Sequence, residues 1–167
     1  MPVPPKVILA PVDFSEASAA AKDVAADLAK RLGSMLCVVH VVPMLPKLPA
    51  SVSIFKEGDY ERELHRDAEE RLGKMVENLL AKGVRAESAV GTSNDVPMEI
   101  IRLAESQGAD LIVISTHGAT GWNRLAFGSV AEKVLHLASL PVLVLRANVE
   151  SKSHDSETKA ESIPATD

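Results

Sequence analysis

Apolar positions fall into short uninterrupted runs separated by stretches in which they recur every three or four residues. Residues 6–12 (KVILAPV), 35–42 (MLCVVHVV), 110–115 (DLIVIS) and 141–145 (PVLVL) are runs of strand length. Continuous rather than alternating runs predict strands covered on both faces, as in parallel sheets. Only 84–90 (VRAESAV) alternates, which fits an edge strand that stops at Gly91. After Asp13, Phe14 and Ser15, the residues Ala17, Ala20, Ala21, Val24, Ala25 and Leu28 have helical spacing, and Gly33 ends their helix. Their small side chains suit a helix lying close to a sheet. A second stripe, Leu64, Ala68, Leu72, Met75, Val76, Leu79 and Leu80, predicts a helix over 59–81 that Gly83 ends. Asn94 is the expected cap of a third helix with Pro97 in its first turn and Ile100, Ile101, Leu103 and Ala104 inward. A fourth helix is expected over 129–138.

The order is therefore β-α-β-α-β-α-β-α-β. Strict alternation with short connections requires right-handed crossovers and an open parallel sheet with helices on both faces. The predicted fold class is α/β, a doubly wound five-stranded parallel sheet of Rossmann-like type. Such sheets bind ligands beyond the carboxyl ends of their strands, where the strand order reverses. Asp13, after the first strand, and residues 115–118, after the fourth, lie at that place.

Composition narrows the class. The 167 residues are 46% hydrophobic and 25% charged, with mean hydropathy +0.08, which suits one globular domain with a single core. An aromatic share of 3% leaves little material for a base-stacking RNA platform. The net charge of −5 argues against partners made of phosphate backbone or acidic lipid, so neither nucleic acid nor membrane is expected. Much of that charge sits in a Ser/Thr-rich tail from Glu150 onward that holds five acids and two lysines. The expected organisation is a domain over 1–147 and a disordered acidic tail over 148–167. The single Cys37 lies inside an apolar run and reads as a buried core residue, consistent with a reducing, cytoplasmic setting. No apolar stretch reaches 18 residues, and residues 1–6 lack a signal-peptide pattern.

Candidate chemistry concentrates in residues 115–130 (STHGATGWNRLAFGSV). Glycines there let backbone N–H groups approach an anion, and the following helix N-terminus adds donors and a favourable dipole, as in a phosphate cradle. The same residues also read structurally, with Ser129 capping the fourth helix and Glu132 completing a capping box. Asp13 divides in the same way between ligand group and helix cap. His40, in an apolar strand, reads as a satisfied core histidine, and His65 and His154 as solvated. There is no G-x-x-x-x-G-K-[ST], G-x-S-x-G, C-x-x-C or H-E-x-x-H, so no catalytic residues and no protein metal site are assigned.

The spacing from Ser115 through Gly118 to Gly128-Ser129 resembles the G-x2-G-x9-G-[ST] motif of nucleotide-binding universal stress proteins, with Ser115 in place of the first glycine. The resemblance extends over 6–146: Pro11-Val12-Asp13-Phe14-Ser15, the H-V-V of the second strand, the S-T-H-G-x-x-G loop, G-S-V-A-E-K-V and the closing P-V-L-V. It implies an adenine nucleotide alpha hydrolase-like sheet of order 3-2-1-4-5. It also implies ATP with Mg or Mn, the adenine near Pro11, Val12 and Val41 and Asp13 close to the adenosine or its metal. The phosphates would lie along Ser115, Thr116, His117, Gly118, Ala119, Gly121, Arg124, Gly128, Ser129, Val130 and Ala131. The implied function is that of a nucleotide-dependent stress regulator rather than a dedicated enzyme, dimeric through strand 141–145, with possible regulatory protein partners. Two other readings stand beside it: a nucleotide-free dimer acting through protein partners, and a slow ATP hydrolase.

Overall fold

A computed structural model describes residues 4–44, 57–116 and 128–146. The chain runs β1 (Val7–Pro11), α1 (Glu16–Leu32), β2 (Met35–Val42), α2 (Glu57–Ala81), β3 (Ala86–Thr92), α3 (Val96–Ser106), β4 (Leu111–Ser115), α4 (Ser129–Leu137) and β5 (Val142–Leu145). The strands form one parallel sheet of order β3-β2-β1-β4-β5. The α/β class, the five strands and the 3-2-1-4-5 order are as expected.

Successive residues of a strand point to opposite faces, and here both faces are covered. Ile8, Ala10, Leu36, Val38 and Val113 pack with Ala25 and Ala29 of α1 and Leu72 and Leu79 of α2. Leu9, Cys37, Val39, Ile112 and Ile114 pack with Ile100, Leu103 and Ala104 of α3 and Ala131 and Val134 of α4. This double burial is why β1, β2 and β4 are continuously apolar. Each fully buried Leu or Ile side chain contributes about 1.5–3 kcal/mol from removal from water. Cys37 is fully buried, and burial, aided by the Glu87 charge, pushes its thiol pKa up to about 12. It is a core residue.

Several local expectations are corrected. The inward face of α1 carries Ser18, Ala21, Ala25, Ala26 and Ala29, whereas Val24 is 46% exposed. Leu80 likewise turns outward from α2. β3 does not stop at Gly91: it pairs through Val41↔Gly91 and Val42↔Thr92. Gly91 is needed there for space, since a Cβ would lie 2.5 Å from Oε1 of Glu99. The cap of α3 is Asp95, whose carboxylate accepts from the Met98 N–H, not Asn94. Pro97 does occupy the first turn of α3. The N-cap of α4 is Gly128 and makes no side-chain capping bond, so Ser129 is the first helical residue and closes no capping box. The second strand spans Met35–Val42 as expected, and the remaining element ends agree with expectation or differ by one or two residues. Residues 45–56 and the expected tail over 148–167 lie outside the described residues.

Candidate functional site

β1 has β2 on one side and β4 on the other, so the strand order reverses at β1. The chain leaves β1 toward one face through α1 and leaves β4 toward the other through α4. A cleft of about 220 Å³ opens at the carboxyl ends of these strands. Its β1 wall is Pro11, Val12 and Asp13, its β2 wall Val39, His40 and Val41, and its β4 wall Ile114, Ser115 and Thr116. Gly128, Ser129, Val130 and Ala131 close the α4 side, and Val96 and Ile100 of α3 reach over the sheet to it.

All the expected site residues that are described line this one cleft: Pro11, Val12, Asp13, Val41, Ser115, Thr116, Gly128, Ser129, Val130 and Ala131. His117, Gly118, Ala119, Gly121 and Arg124 lie outside the described residues, as do Trp122 and Phe127. The lining residues that sequence reasoning missed are Ser18, Val39, His40, Val96, Ile100 and Ile114. Val39 had a legible signal, because it lies two residues before Val41 and so shares its face of the sheet. Val96 and Ile100 had none, since only packing brings the first turn of α3 across the strand ends.

The polar groups are held by short local bonds. Ser15 caps α1 by accepting from the Ser18 N–H, 3.2 Å away. The Asp13 carboxylate accepts from the Ser15 N–H at 3.1 Å and the Ser15 hydroxyl at 2.6 Å, and the Asp13 N–H donates to the Ser18 hydroxyl at 3.3 Å. Asp13 therefore buttresses the cap rather than forming it, and stays exposed at the cleft mouth. Across the cleft the Thr116 N–H donates to the Leu145 carbonyl, 2.8 Å, and the Gly128 N–H to the Thr116 carbonyl, 2.6 Å. These bonds fix the start of α4 beside the end of β4. The first intrahelical bond there runs from the Glu132 N–H to the Gly128 carbonyl, so the N–H groups of Ser129, Val130 and Ala131 precede the ladder at the cleft.

His40 is half-buried, and its Nδ1 lies 2.7 Å from the Val12 carbonyl. A carbonyl only accepts, so Nδ1 carries the proton. Burial holds the His40 pKa below its ordinary value near 6.5, and the Arg71 charge also lowers it, against the Val12 hydrogen bond and the charges of Asp13 and Asp67. The imidazole is neutral at pH 7. It is satisfied, as expected, but it is also part of the cleft. Among the described residues no group of three His, Cys, Asp or Glu side chains is arranged to hold a metal ion.

An open parallel sheet with an apolar cleft at its switch point and a helix N-terminus on the rim belongs to the Rossmann-like α/β proteins. The sequence model of the universal stress protein family matches residues 5–146, and the chain belongs to that family. It is similar to universal stress protein MJ0531 of Methanocaldococcus jannaschii, at 35% identity over 143 residues covering 84% of this chain and 82% of that one. The solved structure of MJ0577 from the same organism superposes with a TM-score of 0.72 at 26% identity, covering 85% of this chain and 96% of the other. A universal stress protein from Archaeoglobus fulgidus, solved in complex with dAMP, shares the fold with a TM-score of 0.54 at 23% identity, covering 83% and 94% of the two chains.

Proposed function

We propose that the cleft binds an adenine nucleotide, ATP with Mg or Mn, and that the protein is a cytoplasmic, homodimeric, nucleotide-dependent stress regulator. The observation that carries the reading is the convergence of Pro11–Asp13, Val41, Ser115–Thr116 and 128–131 on one cleft at the switch point. Its size is below the roughly 300–1,000 Å³ usual for whole drug-sized ligands. That suits a base and ribose between the valines, with the phosphates passing outward to α4. The Ser129, Val130 and Ala131 N–H groups and the α4 dipole supply the anion donors there. No protein cluster is needed for the metal, which the triphosphate itself chelates, with Asp13 the carboxylate at the mouth. That the fold holds dAMP in the A. fulgidus protein speaks for the fold's capacity rather than for these residues.

Ser115 occupies the first motif position, and its residue is 8% exposed at the end of β4. A small side chain held there leaves the cleft open. For the dimer, β5 is an edge strand that carries exposed Leu143, and Leu135 and Leu137 at the end of the preceding α4 are exposed as well, apolar surface that a second copy would cover.

The test is isothermal titration of nucleotide-stripped protein with Mg-ATP, with sedimentation equilibrium for the mass. Saturable binding near one per chain, lost in Gly118→Asp, is the expected result. No binding by the wild type overturns the nucleotide reading, and a one-chain mass at micromolar concentration overturns the dimer.

A further inference from the structure

The β1–β2 ladder ends in an unusual way. The Val12 N–H donates to the Val39 carbonyl at 2.8 Å, one rung beyond the last residue of β1. In a regular parallel ladder the next rung would run from the Val41 N–H to the Val12 carbonyl. Among the described residues no such rung forms, and the carbonyl accepts from Nδ1 of His40 instead.

The imidazole that does this is held from behind. Its ring centroid lies 4.4 Å from that of Phe14, tilted by 34°. The Arg71 guanidinium of α2 sits over the other part of that stack, 3.7 Å from the Phe14 centroid. Phe14 adopts φ +63°, a left-handed conformation that costs a bulky residue about 1–3 kcal/mol and persists only where its surroundings over-determine it. The stack supplies that determination. Arg71, Phe14 and His40 thus form a column from helix α2 to the cleft wall, ending on the Val12 carbonyl.

We propose that His40 is a positioning residue for the cleft: by taking the Val12 carbonyl it ends the ladder one rung early and leaves the Val41 N–H to donate to an acceptor ring nitrogen of a bound base. The proposal rests on the nucleotide reading for the base, and on the ladder alone for the freed amide. Both Val12 and Val41 line the cleft, and an N–H on the β1 side of β2 has no other strand to meet there.

Two substitutions separate the column from a merely structural role. His40→Leu removes the donor, so the Val12 carbonyl is released and the missing rung closes. Amide hydrogen exchange at Val41 in the nucleotide-free protein should then slow at least tenfold, where a loss of packing alone would accelerate it. His40→Asn keeps an N–H at the Nδ1 position and should leave Val41 exchange near that of the wild type. Mg-ATP affinity should fall tenfold or more in His40→Leu and recover to within about threefold in His40→Asn, on the scale of one hydrogen bond. The nitrogen shifts of the wild-type His40 imidazole should report a protonated Nδ1 and a bare Nε2 at pH 7.5. Unchanged or faster Val41 exchange in His40→Leu, or a protonated Nε2, overturns the proposal. If His40→Leu does not fold, Arg71→Met, on the exposed face of α2, carries the test: partial slowing of Val41 exchange supports the column and none overturns it. A wild type that binds no nucleotide removes the functional reading, and the exchange results then decide the ladder claim by themselves.

Discussion

The two ends of the sheet are built from the same strands by opposite means. At the amino end, hydrogen bonds tie the described chain entry to the sheet. The Asp110 carboxylate accepts from the Lys6 N–H at 2.6 Å and the Val7 N–H at 3.1 Å, and the Ser34 hydroxyl donates to the Pro5 carbonyl at 2.6 Å. The three chain reversals into β2, β3 and β4 use left-handed residues, and all three are glycines: Gly33, Gly83 and Gly108. At the carboxyl end, the ladder between β1 and β2 stops early, a cleft opens, and among the described residues the left-handed one is Phe14. Glycine makes that conformation nearly free, whereas phenylalanine makes it costly. Among the described residues, the relaxed left-handed turns lie at the amino end of the sheet and the strained one beside the cleft.

The largest effect that would sharpen this contrast is at the cleft rim. Ser129→Asp places a carboxylate at the start of α4, which complements the helix dipole but repels phosphate. Titration calorimetry should show Mg-ATP affinity reduced by roughly 100-fold or more, while thermal unfolding shows no loss of stability. Equal binding in the variant would break the assignment of α4 to phosphate.

The amino end should behave in the reverse manner. Asp110→Ala leaves the Lys6 and Val7 N–H groups without their acceptor and should cost about 1–3 kcal/mol in urea unfolding. Mg-ATP affinity, measured below the unfolding transition, should stay within twofold. A matched loss of affinity would mean that the two ends are not independent.

A smaller cost is expected from Gly33→Ala. Nothing lies within 4 Å of an added Cβ at this φ of +66°, so the change isolates the backbone strain, about 1 kcal/mol. Chemical denaturation of the single variant measures the figure that Phe14 bears at the other end. No change would show that the left-handed turn is not strained for a side chain in this fold.

The smallest effect is the pH dependence of His40. Its pKa is held below 6.5 in the folded chain, chiefly by burial, so between the two values the unfolded chain binds more protons and stability rises with pH. This contribution is complete above about pH 6.5 and is lost as the pH falls through the folded value. Between pH 7.5 and pH 5.5 the wild-type melting temperature should therefore drop further than that of His40→Asn. Parallel drops would remove the burial effect.

The sequence by itself determined the order of elements, the parallel sheet and the family, because continuous apolar runs between helical stripes admit few other packings. It also determined which segments meet at the switch point, since Asp13, Ser115 and Gly128 follow or precede elements whose polarity in the sheet is set by right-handed crossovers. Closely competing local signals were settled only by the tertiary structure. Asn94 and Asp95 are both good caps, and only the path of β3 past Gly91 decides that Asp95 starts α3. Ser129 has the residues of a capping box, but the bond from Gly128 to Thr116 fixes the helix start one residue earlier. His40 looked like a core histidine because its neighbours in sequence are apolar. Its partners, Val12, Phe14 and Arg71, come from two other parts of the chain. A hydrogen-bond acceptor and a stacking face contributed from across the fold leave no periodicity in the sequence. That is why the wall of the cleft was legible and the side chain that shapes it was not.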